Sequence, residues 1–454
     1  MNVPLKKNDD IGLMISGMTA EGAGVGRYEG FAVFVPGALP GENVRAHIIK
    51  VAKSYAVGKL MEVVAPSPDR TEPLCPAFPK CGGCSLQHMS YEAQLRYKRG
   101  VVSDALERIG GFEGIEVEPV IGMDDTAGYR NKGSFPFAEA DGKLCWGLYS
   151  AGSHRLIAPG VCMIEDPLAV AAANVVQKWA QSYSIPAYDE ITGKGVLRHV
   201  VTRRCTGGVS VCVVTTGSLP HEETLVKLLK EEVPGVASVV HNINRRSTNV
   251  ICGAEYRTVY GSDTVLHSIC GLDFNVSTES FLQVNTIQTE KLYSAALDSL
   301  ELTGNEQVAD LFCGIGTISL LIAKKAKSVT GIEYVEKAVE NARENAKLNR
   351  INNAEFYAGA AEEVLPRLVA DGNRFDCVCL DPPRKGADKA VLDAVAESGA
   401  KRIVYVSCDP ATLARDLKIL CEKGYNLVSV QPVDMFPMTG HIESVVLITR
   451  AGSR

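Results

Sequence analysis

The chain has 454 residues, of which 46% are hydrophobic and 22% charged, and its formal net charge is −6. That length exceeds one ordinary core and predicts two or three domains, while the composition excludes a disordered or fibrous chain. A global basic field is excluded too, so any nucleic-acid partner must be held by local patches.

The segment Met1–Asp10 has no apolar core of the secretory kind, and no apolar run approaches the ~20 residues of a membrane span. With 14 cysteines and no such signal, the expected setting is a reducing cytoplasm, where clustered thiols bind metal or catalyse.

Residues 5 to 64 are short strand-like runs broken by glycine, among them Ile11–Gly17, Gly30–Pro36, Glu42–Lys50 and Tyr55–Val64. Their close spacing predicts a small β-barrel, and the pattern resembles the TRAM domain, a small RNA-binding barrel. Pro66–Pro73 reads as a linker. Cys75, Cys81 and Cys84 then form a C-x5-C-x2-C array. Intervening prolines and glycines let several sulfurs converge on one centre, and three thiolates are one short of a closed four-cysteine site. Cys162 is the candidate for the fourth. Cys145 competes, though Leu144–Leu148 reads as strand core. Spacing does not separate zinc from an iron–sulfur cluster.

Ser90–Arg108 has the periodicity of an amphipathic helix, and residues 115 to 270 are β-rich. Within them, Tyr129-Arg130-Asn131-Lys132 sets two cations and an amide beside an aromatic, which suits RNA phosphates and a stacked base. Arg203-Arg204 and Arg245-Arg246 are further basic pairs.

From about 281 strands alternate with helices. Gln307–Gly316 is a strand and glycine turn, Thr317–Lys325 a helix, and Ser328–Tyr334 a strand ending at Glu333. Further strands end at Asp381 and Cys408, with Asp409 as N-cap and Pro410 at the first position of the helix that follows. Such alternation predicts a doubly wound, mostly parallel sheet that binds ligands beyond the carboxyl ends of its strands. The first turn lacks the third glycine of a dinucleotide fingerprint, which favours S-adenosylmethionine over NAD, and Glu333 is placed to accept ribose hydroxyls.

Asp381-Pro-Pro-Arg384, followed one strand later by a cysteine, suggests methylation at a pyrimidine carbon. Uracil C5 is a poor nucleophile until a thiolate adds to C6 and makes an enolate. A base must then remove the C5 proton. Cys408 supplies the thiol, and a helix N-terminus beside it is expected to favour the thiolate. Glu443, in Gly440-His-Ile-Glu443, is the candidate base.

These motifs, with Phe281-Leu-Gln-Val-Asn285, resemble the RNA uracil-5-methyltransferase family over essentially the whole chain, most of all its rRNA-modifying members. The resemblance implies Cys408 as nucleophile and Glu443 as base. It implies a cofactor site of Gln283, Phe312, Thr317, Glu333 and Asp381. It also implies a [4Fe–4S] cluster on Cys75, Cys81, Cys84 and Cys162, and 5-methyluridine in 23S rRNA as product. Arg130 and Lys132 are the RNA-binding candidates. The expected organisation is multidomain α/β. A TRAM-like barrel spans 1–64, a β-rich central domain with the iron–sulfur site 65–280, and a Rossmann-like methyltransferase domain 281–454. A monomer is expected, with large-subunit rRNA as partner and neither membrane nor obligate protein partner.

Three other readings compete. The uridine of the tRNA T-loop is one, although relatives acting there typically lack the barrel and the cluster cysteines. A TRAM-bearing radical enzyme would need C-x3-C-x2-C, which is absent. A non-catalytic RNA-binding iron–sulfur protein would not need Cys408 and Glu443. Two departures from the family pattern stand out: Asp409 where many relatives have Asn, and Gly359-Ala-Ala-Glu362, which leaves the adenine contact unassigned.

Overall fold

The computed structural model describes residues 3–140 and 142–452, so the outermost residues of the expected first and last domains, and of the leader reading, lie outside it. Two compact units emerge. One comprises Met1–Val101, Tyr149–Ile157 and Phe436–His441, and the other Val102–Leu148, Ala158–Met435 and Ile442–Arg454.

The first unit opens with β1 (Asp10–Met18), β2 (Ala23–Tyr28), β3 (Phe31–Pro36), β4 (Asn43–Val51) and β5 (Tyr55–Ala65), closed into a barrel in the order β1-β2-β3-β5-β4. Alternation sends Ile11, Leu13 and Ile15 inward against Val33, Val35, Val44 and Ile48. Gly26 is required there, because a Cβ would meet the Met14 carbonyl oxygen at 2.5 Å. Beyond the barrel, α1 (Tyr91–Ala105) straps down the segment Phe436–His441. Gln94 accepts the Met438 N–H at 2.9 Å, and the buried Lys98 ammonium donates to the Phe436 carbonyl at 3.0 Å.

The second unit holds two larger sheets. Its central elements are β6 (Lys132–Ala140), β7 (Lys143–Trp146), α2 (Pro167–Ser182), β10 (Leu197–Cys205), β11 (Gly208–Thr215), α3 (Glu222–Glu232), β12 (Val236–Ile243) and β13 (Glu255–Gly261), while the two-residue strands β8 (Leu148–Tyr149) and β9 (Leu156–Ile157) fall at and beyond its edge, Tyr149–Ile157 belonging to the first unit. The six-stranded sheet runs β13-β12-β11-β10-β6-β7. Phe135, Val200, Val211 and Val213 from it form one core with Val176 and Trp179 of α2 and Leu225 and Leu229 of α3. A hairpin of β14 (Thr264–Ile269) and β15 (Leu272–Ser277) leads to α4 (Thr286–Leu300).

The last sheet is built from β16 (Gln307–Leu311), β17 (Ser328–Glu333), β18 (Ala354–Ala358), β19 (Cys377–Leu380), β20 (Arg402–Ser407), β21 (Tyr425–Val433) and β22 (Glu443–Arg450). Between its strands lie α5 (Thr317–Ala323), α6 (Glu336–Leu348), α7 (Ala361–Ala370), α8 (Lys389–Glu397) and α9 (Pro410–Glu422). The order is β18-β17-β16-β19-β20-β22-β21. Strands β16 to β20 are parallel, and β22 runs antiparallel to both neighbours. Parallel strands are covered on both faces, which is why Cys377–Leu380 and Ile403–Ser407 are apolar runs buried throughout. Strand order reverses between β16 and β19, and that crevice is where such folds bind ligands. Among the described residues no helix is long and apolar enough to cross a membrane.

Candidate active site

Register brings the two candidate reacting groups together. Strands β20 and β22 pair with Ser407 opposite Ser444, so the next position outward sets Cys408 opposite Glu443. Parallel pairing of Leu380 with Tyr405 and of Leu311 with both Leu380 and Ile332 puts Asp381, Phe312 and Glu333 at the same end of the sheet. One edge at the switch point therefore carries a thiol, three carboxylates and an aromatic ring.

Their electrostatics depart from expectation at Cys408. Asp409 does cap α9, but one carboxylate oxygen takes the N–H groups of both Ala411 and Thr412 at 2.9 Å. The amides that would favour a thiolate are thus spent on the cap. Burial first, then the charges of Glu443 and Asp381, push the half-buried Cys408 thiol up to about 12, with Arg384 pulling the other way. Glu443 is 3% exposed, and its Oε2 has no hydrogen-bond partner among the described residues. Burial, then Asp381, hold its carboxyl well above the usual range against the opposing charge of Arg384. Burial raises Asp381 to about 7. Two acids and a thiol that all resist ionisation in one cluster are a functional signature rather than a stabilising one.

The turn after β16 forms a cradle. Phe312 has φ +65°, an uncommon conformation for a bulky residue, and its N–H reaches the Ile332 carbonyl at 2.9 Å. Glu333 accepts from Gly314 N–H at 3.0 Å and Val335 N–H at 2.8 Å, leaving each oxygen a free lone pair for a ligand hydroxyl. Gly316 caps α5 at φ +84°, where a Cβ would press on Ala342 and the Phe356 ring at 3.2 Å. Thr317 Oγ1 lies 3.1 Å from Tyr293 Oη. Asp310, bonded to Ser319, is raised to about 7, chiefly by burial. Gln283 is buried on the separate loop that enters α4.

Tyr129–Lys132 makes internal contacts of its own. Tyr129 and Asn131 are buried. Asn131 Nδ2 donates to the Gln283 carbonyl at 3.1 Å and to Thr286 Oγ1 at 3.0 Å, and its N–H reaches the Val284 carbonyl at 2.7 Å. Arg130 Nε meets Glu165 at 3.1 Å. Lys132 is brought down to about 8 by burial and then by Arg203. Much of the tetrapeptide thus braces the loop that carries Gln283. Sequence reading missed Asn131 in this role, and it missed Tyr293 and Asp310 as parts of the cradle. Asp310 had a signal, being the acid that closes the first strand, whereas Tyr293 is indistinguishable in sequence from the buried stripe of α4.

Cys75, Cys81 and Cys84 lie in the first unit and Cys162 in the second. Cys75 and Cys81 are near enough for their charges to interact, and Gly83 N–H approaches Cys81 Sγ at 3.4 Å. Cys162, however, packs against the apolar core of the central sheet. Among the described residues no group of three or more His, Cys, Asp or Glu side chains stands as a metal-holding set. Thiolates are soft donors of the kind that hold an iron–sulfur cluster.

Residues 270–451 match the family described as tRNA (Uracil-5-)-methyltransferase, and residues 11–61 match the TRAM domain. An RNA methyltransferase of Clostridium acetobutylicum is 46% identical over 453 residues, 99% of this chain and 98% of the relative. The chain belongs to the RNA uracil-5-methyltransferase family. A second RNA methyltransferase, from Halalkalibacterium halodurans, is 46% identical over 448 residues, 98% of each chain. The crystal structure of the Pyrococcus abyssi tRNA (uracil-54, C5)-methyltransferase with S-adenosyl-L-homocysteine superposes with a TM-score of 0.78 at 27% identity, covering 96% of this chain and 98% of that one. This RNA uracil-5-methyltransferase therefore uses S-adenosylmethionine, and its barrel is a TRAM domain. Because a tRNA enzyme aligns over nearly the whole chain, the barrel does not separate rRNA from tRNA enzymes as expected.

Proposed function

We propose that this uracil-5-methyltransferase makes 5-methyluridine in 23S rRNA through a covalent bond between Cys408 and uracil C6. The observation that carries the chemistry is Cys408 facing Glu443 across β20 and β22, with Asp381 beside them. Cys408 loses its proton to solvent, its thiolate Sγ adds to C6, and the electron pair of the C5–C6 double bond moves into an enolate. S-adenosylmethionine supplies the methyl group that C5 accepts and leaves as S-adenosylhomocysteine. Glu443, having released its own proton to solvent with the help of Arg384, takes the C5 proton as a carboxylate, the double bond re-forms, and the thiolate leaves. Addition carries negative charge from sulfur onto the uracil ring and away from the carboxylates, which relieves the repulsion that holds the thiol protonated. The positive charge of Arg384 favours both ionised groups.

Phe312, Thr317, Glu333, Asp381 and Gln283 make up the cofactor site in this reading. A cation beside Asp381 stabilises its carboxylate, so below pH 7 binding must also expel a proton. Affinity for S-adenosylmethionine is then expected to weaken about tenfold from pH 8 to pH 6 and, in Asp381→Asn, to lose that dependence. Calorimetric titrations across this range check it, and pH-independent binding of the parent protein contradicts it.

The choice of 23S rRNA rests on motif resemblance and the cysteine array, and the superposition on a tRNA enzyme favours the T-loop as a second reading. Labelled methyl transfer to unmodified 23S rRNA and tRNA, with mapping of the product, decides between them. Label at an rRNA uridine is expected, and label confined to tRNA overturns the substrate while keeping the chemistry. Lys132 and Arg130 remain the proposed RNA contacts, Arg130 by exchanging Glu165 for phosphate. The division at residues 64 and 280, a monomeric state and a cytoplasmic location complete the reading. A [4Fe–4S] cluster on Cys75, Cys81, Cys84 and Cys162 is proposed on donor chemistry and has no part in methyl transfer. About four iron and four sulfide per chain after anaerobic purification is expected; protein without either contradicts it.

A further inference from the structure

The loop that carries Arg384 is held from one side by the helix that begins just after Cys408. Asp416, on α9, is fully buried. Its Oδ2 accepts from Tyr405 Oη at 2.6 Å and from Ala387 N–H at 2.8 Å, while Oδ1 accepts from Arg415 Nε at 2.8 Å. Arg415 Nη2 goes on to the Lys385 carbonyl at 2.9 Å, and Thr412 Oγ1 donates to the Arg384 carbonyl at 3.2 Å. Gly386 lies under this clamp at φ +78°, where a Cβ would stand 2.5 Å from both Arg415 Nη2 and Asp416 Oδ2.

Three consecutive peptide units, at Arg384, Lys385 and Ala387, are therefore tied to α9. A buried carboxylate is costly unless every lone pair is used, and this one is used entirely on the loop, on Tyr405 and on the arginine beside it. None of these groups is in the cluster of Cys408, Glu443 and Asp381. Their common effect is to fix the backbone of the loop after Asp381 against the first turns of the helix after Cys408.

We propose that Asp416, with Tyr405 and Arg415, is a positioning device that locks Arg384 and Asp381 in register with Cys408 and Glu443. This rests on the role proposed above for Cys408. Arg384 is exposed, and among the described residues its side chain makes no hydrogen bond or ion pair that would hold it, so the set of its backbone decides where its charge falls. Misplacement by about 1 Å at a reacting centre costs on the order of 100-fold in rate.

The test compares Asp416→Asn, Arg415→Ala and Arg415→Lys with the parent protein. Arg415 is on the surface, so its alanine variant keeps the argument testable if Asp416→Asn fails to fold. Two readouts are taken on folded protein: kcat and KM for methyl transfer, and the pH profile of alkylation of Cys408 by iodoacetamide. The charged groups facing Cys408 are Glu443 from β22 and Asp381 and Arg384 from the clamped loop. Loosening the clamp is expected to lower kcat about 10- to 100-fold with the KM for S-adenosylmethionine little changed. It is also expected to move the alkylation profile to higher pH, and Arg415→Lys should recover part of both. Variants that only melt earlier, with kcat per folded molecule and the alkylation profile unchanged, overturn the proposal. The alkylation profile reads the placement of Arg384 whether or not Cys408 is the nucleophile, and Cys408→Ala tests that role separately.

Discussion

Replacing Cys408 by alanine is expected to lower methyl transfer by about 10⁴-fold or more, because among the described residues no other cysteine stands at the carboxyl edge of β20. The thiol is half-buried, so the cost in stability is expected to be about 1 kcal/mol or less. Binding of S-adenosylmethionine should persist, since the cradle of Phe312, Gly314, Glu333 and Thr317 lies on β16, β17 and α5. The check is a single-turnover assay beside a thermal melt with and without the cofactor. A variant that still methylates uridine at more than about a hundredth of the parent rate would remove the covalent route from the account.

Glu443→Gln produces a different kind of failure. Glutamine keeps the shape of a carboxyl group whose ionisation burial and then Asp381 already oppose. The fold should therefore tolerate it with little change in melting temperature. Addition of Cys408 and methylation of C5 remain available, while removal of the C5 proton does not. Turnover should fall about 10²- to 10⁴-fold, and a methylated RNA–protein adduct that survives denaturing gel electrophoresis should accumulate. If turnover falls and no adduct forms, Glu443 acts earlier, in taking the proton from the Cys408 thiol.

Much of this arrangement could be read from the chain because its elements are signalled locally. Asp409-Pro410 marks a helix start by capping chemistry alone, and the apolar runs ending at Asp381 and Cys408 are parallel strands by composition. The doubly wound sheet follows from alternation, and the crevice from the fold. What could not be read depends on pairing between distant segments. Setting Cys408 opposite Glu443 is a matter of antiparallel register that no spacing reveals. The use of Asp409 to absorb two helix amides, which removes their help from Cys408, is a question of geometry and not of residue type. Asn131 looked like an RNA contact because amides and cations suit phosphates, yet the same amide suits a buried loop carbonyl. Cys162 was chosen for the cluster by elimination, and its packing against the central core is a tertiary fact.

The measurement that bears most directly on the central claim uses RNA carrying 5-fluorouridine. Fluorine at C5 cannot leave as a proton, so the reaction should stop at the adduct. Incubation with S-adenosylmethionine, digestion and mass analysis should locate one methylated fluorouridine on the peptide containing Cys408. The parent protein forming that adduct, with Cys408→Ala forming none, is the result the account predicts. Attachment to another residue, or no adduct from a protein that methylates ordinary uridine, would contradict it.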